Sequence, residues 1–368
     1  MKTKQELYNE RLGRLNKTLA LEKTDRPPVI LQMDGFCATH MGYTLAELCK
    51  GVKESNKIML ESLKALGDVD GSESSFSGGP IFPLTFLARV KLPGRELPEN
   101  MMWQLDEAEM MLPGDYDTII NKGWSNFAPG YLRDRLKIDV DKLMEDLTYG
   151  SQATKNITDE GYLVYKQSTA LTVNEYLGGG RSMVKFMRDL FKIPDKVEAT
   201  LEVMQKEIVE GMRKQIRDSK ASVVFLSPAR GASEFFSPKL WERFVWKYIK
   251  ETADAVIEEG AVCNIHMDGD WERDLNYFKD FPKGKIVLET DGATDIYKVK
   301  EILGSNACIK GDVPAAKLCL ANPEEVYNYS TKLIKDMGEG FILSSGCSVP
   351  SNAKVENVKA MISAAIGK

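Results

Sequence analysis

The stretch GFILSSGCSVPSNAKVENVKAMISA, Gly340 to Ala364, reads as an apolar strand, a turn of small residues holding Cys347, and a helix. A buried strand that hands a thiol to a turn ends a β/α unit. The thiol is then a metal ligand, a nucleophile or a small core residue. The same unit recurs upstream. Candidate strands are PPVILQMDG (27–35), GDVDGSES (67–74), GYLVYKQS (161–168), ASVVFLS (221–227), GAVCNIHMDGD (260–270), KIVLETDG (285–292), ACIKGDVP (307–314) and GFILSSGC (340–347). Apolar residues at helical spacing fill the intervals, as in ESNKIMLESLKALG and NPEEVYNYSTKLIKDMG. Several of these helices open on Ser-Pro or Asn-Pro and stop at Gly, the chemistry of helix ends. Strands alternating with helices pair in parallel through helical crossovers. Eight of them predict an α/β fold of the (β/α)8 TIM-barrel type, a single domain over residues 1–368.

The interval between the second and third strands breaks this rhythm. Residues 76–150 hold SGGPIFPLTF, LPGRELPENMMW and MLPGDYDTI, rich in Pro, Gly, Met and aromatics, and read as an insertion covering one end of the barrel. Phe76, Phe82, Phe86, Met101, Met102 and Trp103 suit a small packed core of its own; lining a substrate lid is the functional alternative.

Composition narrows the function. Of 368 residues, 43% are hydrophobic and 28% charged, the make-up of a soluble globular protein. A net charge of −5, with Lys and Arg dispersed, argues against nucleic acid as a partner. The N-terminus is charged throughout and no apolar run is long enough for a bilayer, so the expectation is a cytoplasmic protein with no membrane contact. Six cysteines without a CxxC pair read as reduced thiols.

Active groups of such a barrel sit at the carboxyl ends of its strands. This singles out Gln32 and Asp34; Asp70 and Glu73; Lys166, Gln167 and Ser168; Arg230 and Glu234; His266, Asp268 and Asp270; Glu289 and Asp291; Cys308, Lys310 and Asp312; and Cys347. His266-x-Asp268 puts two side chains on one face of a strand. A zinc ion held by His266, Asp268 or Glu289, and Cys347 would keep one position open, the catalytic-zinc pattern. On spacing alone, His266 reads as a hydrogen-bonded core histidine ahead of a metal ligand. Mid-strand Cys308 reads as buried, and Cys37, Cys49, Cys263 and Cys319 as small apolar residues. His40 packs or caps. Arg230 and Glu234 anchor an anion or pair with each other. YLGGGRSM (176–183) lacks the spacing of a phosphate-binding loop and reads as an ordinary loop.

The segment GDVPAAKLCLANPEEVYNYSTKLIKDMGEGFILSSGCSVPSNAKVENVKAMISA resembles the uroporphyrinogen decarboxylase superfamily. There a Gly-Asn/Asp-Val strand end precedes a Pro-Glu-Glu-Val helix, a Gly-Phe-Ile-Leu strand and an Asn-Val-x-Ala helix. RLGRLNKTLALEKTDRPPV is similar to the family's opening helix and first strand, and IHMDGDW stands at its histidine-bearing strand end. The resemblance implies the (β/α)8 fold independently of the strand count. It also implies one of two chemistries. The decarboxylases grip propionates through a Met-Arg-Gln-Ala-Gly-Arg run; LQMDGFCATH has no arginine, so porphyrin decarboxylation is not expected. The cobalamin-dependent methyltransferases acting on coenzyme M carry zinc on a His-x-Cys pair and a distant Cys. These positions map to His266, Asp268 and Cys347. Carboxylate in place of thiolate makes the site harder and better suited to polarising an ether oxygen. Related O-demethylase methyltransferases use an Asp and two Cys, which brings in Asp280, Cys308 and Cys347, although Asp280 precedes a strand and Glu289 has the better position.

The resemblance therefore implies a zinc-dependent methyltransferase moving a methyl group from a methoxylated, aromatic compound to the cob(I)alamin of a separate corrinoid protein. Its metal ligands come from His266, Asp268, Glu289, Cys308 and Cys347, with His266, Asp268 and Glu289 as the catalytic groups. A homodimer suits this fold. The rivals are a methylcobalamin:coenzyme M methyltransferase, a metal-free lyase, and a non-catalytic corrinoid-docking protein.

Overall fold

The computed structural model describes residues 2–367. Eight parallel strands form the barrel: β1 (Ile30–Leu31), β2 (Gly71–Ser72), β3 (Leu163–Val164 continued by Ser168–Leu171), β4 (Val223–Ser227), β5 (Val262–Met267), β6 (Ile286–Thr290), β7 (Cys308–Val313) and β8 (Phe341–Ser345). The order follows the chain. The second part of β3 through β8 is one continuous ladder, and β1, β2 and the first part of β3 form another. Backbone bonds join the two. Tyr165 and Lys166 N–H donate to the carbonyls of Ser72 (3.0 Å) and Glu73 (2.7 Å), and Gln167 N–H donates to Val223 (3.3 Å). At the other seam Val29 bridges to Leu343, whose N–H donates to Pro28 at 2.9 Å. The third strand therefore runs to Leu171, beyond its expected end at Ser168, because it serves β2 with its first residues and β4 with its last.

Period-two alternation sorts the strand side chains. Val224, Leu226, Ile265, Met267, Leu288, Ile309 and Leu343 face outward into the main core under the helices. Ile30, Leu163, Val223, Val287, Cys308 and Ile342 point inward at the amino end of the barrel. There the N-terminal helix Lys4–Leu19 closes the floor with Leu15 and Leu19. Thr3 starts that helix through a reciprocal capping box with Glu6. The same device, Asn322 with Glu325 and Pro at the first position, starts the helix Pro323–Met337 between β7 and β8. Above the apolar floor the interior turns polar, with Glu73, Asn264, Glu289, Lys310 and Ser344 all buried.

The interval 76–150 carries a hairpin, Arg89–Lys91 against Gln104–Asp106, and short helices. Phe82 packs edge-on against Phe86 (5.2 Å between centroids) and Trp103 (5.8 Å), while Met101 is exposed. Buried Arg181 ties this segment down. Its guanidinium donates to Glu109, to the Met111 carbonyl and to Asp189, and Tyr116 Oη also donates to Asp189 at 2.8 Å.

One expectation fails here. YLGGGRSM is not a loop; Val173–Arg181 is a helix. Its glycines are there for contact, not for turning. A Cβ on Gly179 would lie 1.7 Å from the carbonyl oxygen of Phe86. The inserted segment thus presses directly on helix backbone. Among the described residues all six cysteines are unpaired, and no helix is long and apolar enough to cross a membrane.

Candidate metal centre

His266, Glu289 and Lys310 stand side by side in register across β5, β6 and β7. The chain beyond β5 turns at Gly269 (φ +84°) and presents Asp268. Gly269 N–H donates to Asp291 (2.9 Å), its carbonyl accepts from Thr294 (2.8 Å), and Trp271 Nε1–H donates to the Asp268 carbonyl (2.9 Å). From β8 the Ser-Ser-Gly turn delivers Cys347. The need for small residues is visible: a Cβ on Gly346 would lie 2.7 Å from the Asp291 carbonyl oxygen. Ser345 Oγ–H donates to the Cys347 carbonyl, and Ser348 Oγ–H to Asp34 at 2.7 Å, so both sides of the turn are held.

Three side chains converge. His266 Nε2 is 3.1 Å from Asp268 Oδ1 and 3.9 Å from Cys347 Sγ, and the nitrogen, oxygen and sulfur lie within 4.8 Å of one another. His266 is buried, whereas Asp268 and Cys347 are half-buried and open toward the mouth. A borderline divalent cation such as zinc takes this mixed set of donors. The three residues fit one, with an open side for a fourth group.

Behind the imidazole lies a fully buried polar web. His266 Nδ1 is 3.4 Å from Glu289 Oε2, a charge contact out of line for a hydrogen bond. Asn264 Nδ2–H donates to Glu289 Oε2 (2.7 Å), and Asn264 Oδ1 accepts from Tyr165 Oη–H (2.8 Å). Lys310 Nζ donates to Glu289 Oε1 and, at 2.6 Å, to Glu73 Oε2. Burial alone would raise the Glu289 carboxyl, but Lys310 and His266 outweigh it and hold it well below the carboxylate range. Glu73 goes the other way, pushed up by burial and by Glu289. Burial opposes a proton on metal-free His266; Glu289, Asp268 and Cys347 prevail and raise its pKa well above the usual value.

Of the sequence candidates, the structure brings His266, Asp268 and Cys347 together. Glu289 stands behind the imidazole, with both oxygens already engaged. Cys308 does not join them. It begins β7 opposite Val287, in the apolar floor, and burial pushes its thiol up to about 12. Asp280 ends the turn Glu272–Asp280 ahead of β6, at the amino side, so the set Asp280, Cys308 and Cys347 is not assembled. His40 packs, stacked on Phe36 and bonded through Nδ1 to Ser62 Oγ (2.8 Å). Arg230 pairs with Glu175 and Glu107 rather than with Glu234. The web itself escaped the sequence reading. Its signal was parity: Asn264 sits two residues before His266, and Lys310 sits two residues before Asp312, on the inward face of β7.

The family model described as uroporphyrinogen decarboxylase (URO-D) matches residues 135–367. A curated uroporphyrinogen decarboxylase from Helicobacter pylori (strain J99 / ATCC 700824) is 22% identical over 323 residues, covering 86% of this chain and 85% of the relative. The uroporphyrinogen decarboxylase of Christiangramia forsetii is 22% identical over 236 residues, 62% of this chain and 67% of the relative. Among solved structures, a methyltransferase from Methanosarcina mazei superposes with a TM-score of 0.72 at 16% identity, covering 96% of this chain and 97% of that one. That last likeness is one of fold.

Proposed function

The chain belongs to the uroporphyrinogen decarboxylase family, and from that premise we propose that it is a zinc-dependent methyltransferase. It would move a methyl group from a methoxylated, aromatic compound to the cob(I)alamin of a separate corrinoid protein docked over the barrel mouth. The observation that carries this reading is the meeting of His266 Nε2, Asp268 and Cys347 at the carboxyl ends of the strands. These three would hold the zinc, whose chemistry there is Lewis acidity toward an ether oxygen, favoured by a carboxylate where relatives acting on thiols have a thiolate.

The rest is the work of this chain's own residues. Glu289, held by Asn264 and Lys310, lies in charge contact with the Nδ1 side of the imidazole and favours the ring orientation in which Nε2 faces Asp268 and Cys347. The apolar floor and the N-terminal helix keep water from entering beneath. The absence of arginine from LQMDGFCATH argues against a porphyrin polycarboxylate as substrate. Six unpaired thiols support a reducing, cytoplasmic setting.

The test is metal analysis joined to turnover. Protein purified without chelator should carry one zinc per chain and should demethylate one or more donors among methoxybenzoates and methoxyphenols, but not methylamines, with a reduced corrinoid as acceptor. Absence of stoichiometric zinc would sink the proposal. Methylation of coenzyme M by methylcobalamin, with no demethylation of ethers, would reverse the direction of transfer.

A further inference from the structure

We propose that Lys166 anchors an anionic group of the substrate, so that the methyl donor or acceptor is an organic acid, a carboxylate or a sulfonate. The inference rests on the reading of His266, Asp268 and Cys347 as the reacting centre.

Lys166 lies where β3 passes from one ladder to the other, its N–H bonded to the carbonyl of Glu73 just beyond β2. Its ammonium makes a long ion pair with Glu73, 3.9 Å from Oε1 and beyond hydrogen-bonding reach, and that oxygen receives no donor among the described residues. The other oxygen of Glu73 is taken by Lys310. Three N–H donors of Lys166 are thus left to a partner from outside. The side chain is 25% exposed, against 1% for Glu73 and 0% for Lys310, so of the two lysines flanking Glu73 it is the one that opens outward.

Its position relative to the metal trio is set by Phe225. The ammonium sits 4.5 Å from the Phe225 ring centroid, and that ring is 5.2 Å from the His266 ring. One side chain therefore separates the cation from the imidazole. Other cations at strand carboxyl ends are already matched: Lys310 lies between Glu73 and Glu289, and Arg230 between Glu175 and Glu107. Asp34 and Asp291 give other strand ends a negative character that repels an acid group. An anionic substrate is thereby confined to one orientation, its acid group at Lys166 and its reacting end toward His266.

Calorimetric titration of the zinc-loaded protein with 4-methoxybenzoate, the neutral 4-methoxybenzamide and 2-mercaptoethanesulfonate tests this. We expect the wild type to prefer an anion over the amide by about tenfold or more. Lys166→Met should erase that preference with zinc content unchanged, and Lys166→Arg should keep it. The carboxylate and sulfonate arms identify which acid is recognised. Should Lys166→Met fold poorly, Lys166→Gln reads the same comparison. Equal affinity for acid and amide in the wild type, or a preference that survives removal of the ammonium, overturns the proposal. An anion preference that depends on Lys166, in a protein that transfers no methyl group from any donor, would leave the anion site standing and remove the methyltransferase reading.

Discussion

Glu289 faces His266 from the neighbouring strand, its Oε2 3.4 Å from the ring's Nδ1, with its own position fixed by Lys310 and Asn264. A carboxylate behind a histidine orients the ring and raises the basicity of the far nitrogen. Here the far nitrogen is the one 3.1 Å from Asp268. Glu289→Gln preserves size and removes charge. We expect zinc affinity to fall about 10- to 100-fold with the three proposed ligand atoms untouched, measured by competition with a chromophoric chelator. Unchanged affinity would show that the ring needs no such support.

Lys310 is the keystone of the same web. It is wholly buried between Glu73 and Glu289, and its removal leaves Glu289 with only Asn264 and the imidazole, and Glu73 with only the Lys166 ammonium 3.9 Å away, in a low-dielectric interior. Lys310→Met should destabilise the fold by about 3–5 kcal/mol in urea unfolding, the cost of an uncompensated buried charge. The double variant Lys310→Met with Glu73→Gln should recover part of that loss, because one of the stranded charges is then gone. Equal stability of the single variant and the wild type would mean that neither carboxyl is left charged and unpaired when the ammonium is gone.

The contrast between what could and could not be read from the chain follows from range. Eight strands alternating with helices were visible locally, because period two and period 3.6 are properties of neighbouring residues. The strand-turn-helix around Cys347 announced itself in the same way. The partner of Lys310 did not: Glu73 lies 237 positions away, and only closure of the barrel puts the two in contact. Gly178, Gly179 and Gly180 misled for a related reason. Three glycines read locally as a loop, but the close approach of Phe86 to a helix is a long-range demand that only a residue without a side chain meets. Cys308 and Cys347 look alike as strand cysteines; which end of its strand each occupies separates the floor from the mouth.

That separation makes a paired test of the two thiols. Cys347→Ala removes one of three converging donor atoms, and should lower metal content sharply and abolish methyl transfer while the far-ultraviolet circular dichroism stays unchanged. Cys308→Ala trims a buried side chain next to Ile30 and Ile342 and should keep its zinc, at a cost of about 1 kcal/mol in stability. Elemental analysis of the two variants side by side decides. Full zinc in Cys347→Ala, or its loss in Cys308→Ala, would reverse the assignment.

Asp312, at the carboxyl end of β7, gives the fold a dependence on pH. Burial pushes its carboxyl up to about 7 from an ordinary 3.8, against the hydrogen bond from Tyr329 Oη (3.3 Å), with the negative charges of Asp295 and Asp291 adding to the rise. The folded chain then holds this proton more tightly than the unfolded one. The associated stability is complete below the unfolded value and is lost as the pH climbs through the folded one. Asp312→Asn has no proton to lose and keeps an oxygen for Tyr329. Relative to the wild type, the variant should gain about 2–3 kcal/mol between pH 5 and pH 8, read from urea melts at the two values. The gain should accrue between pH 5 and pH 7, where the folded wild-type chain keeps a proton that the unfolded chain has lost, and level off above the folded value. A difference between the two proteins that is the same at both pH values would mean that Asp312 does not titrate in this window, and that its burial is compensated by groups other than Tyr329.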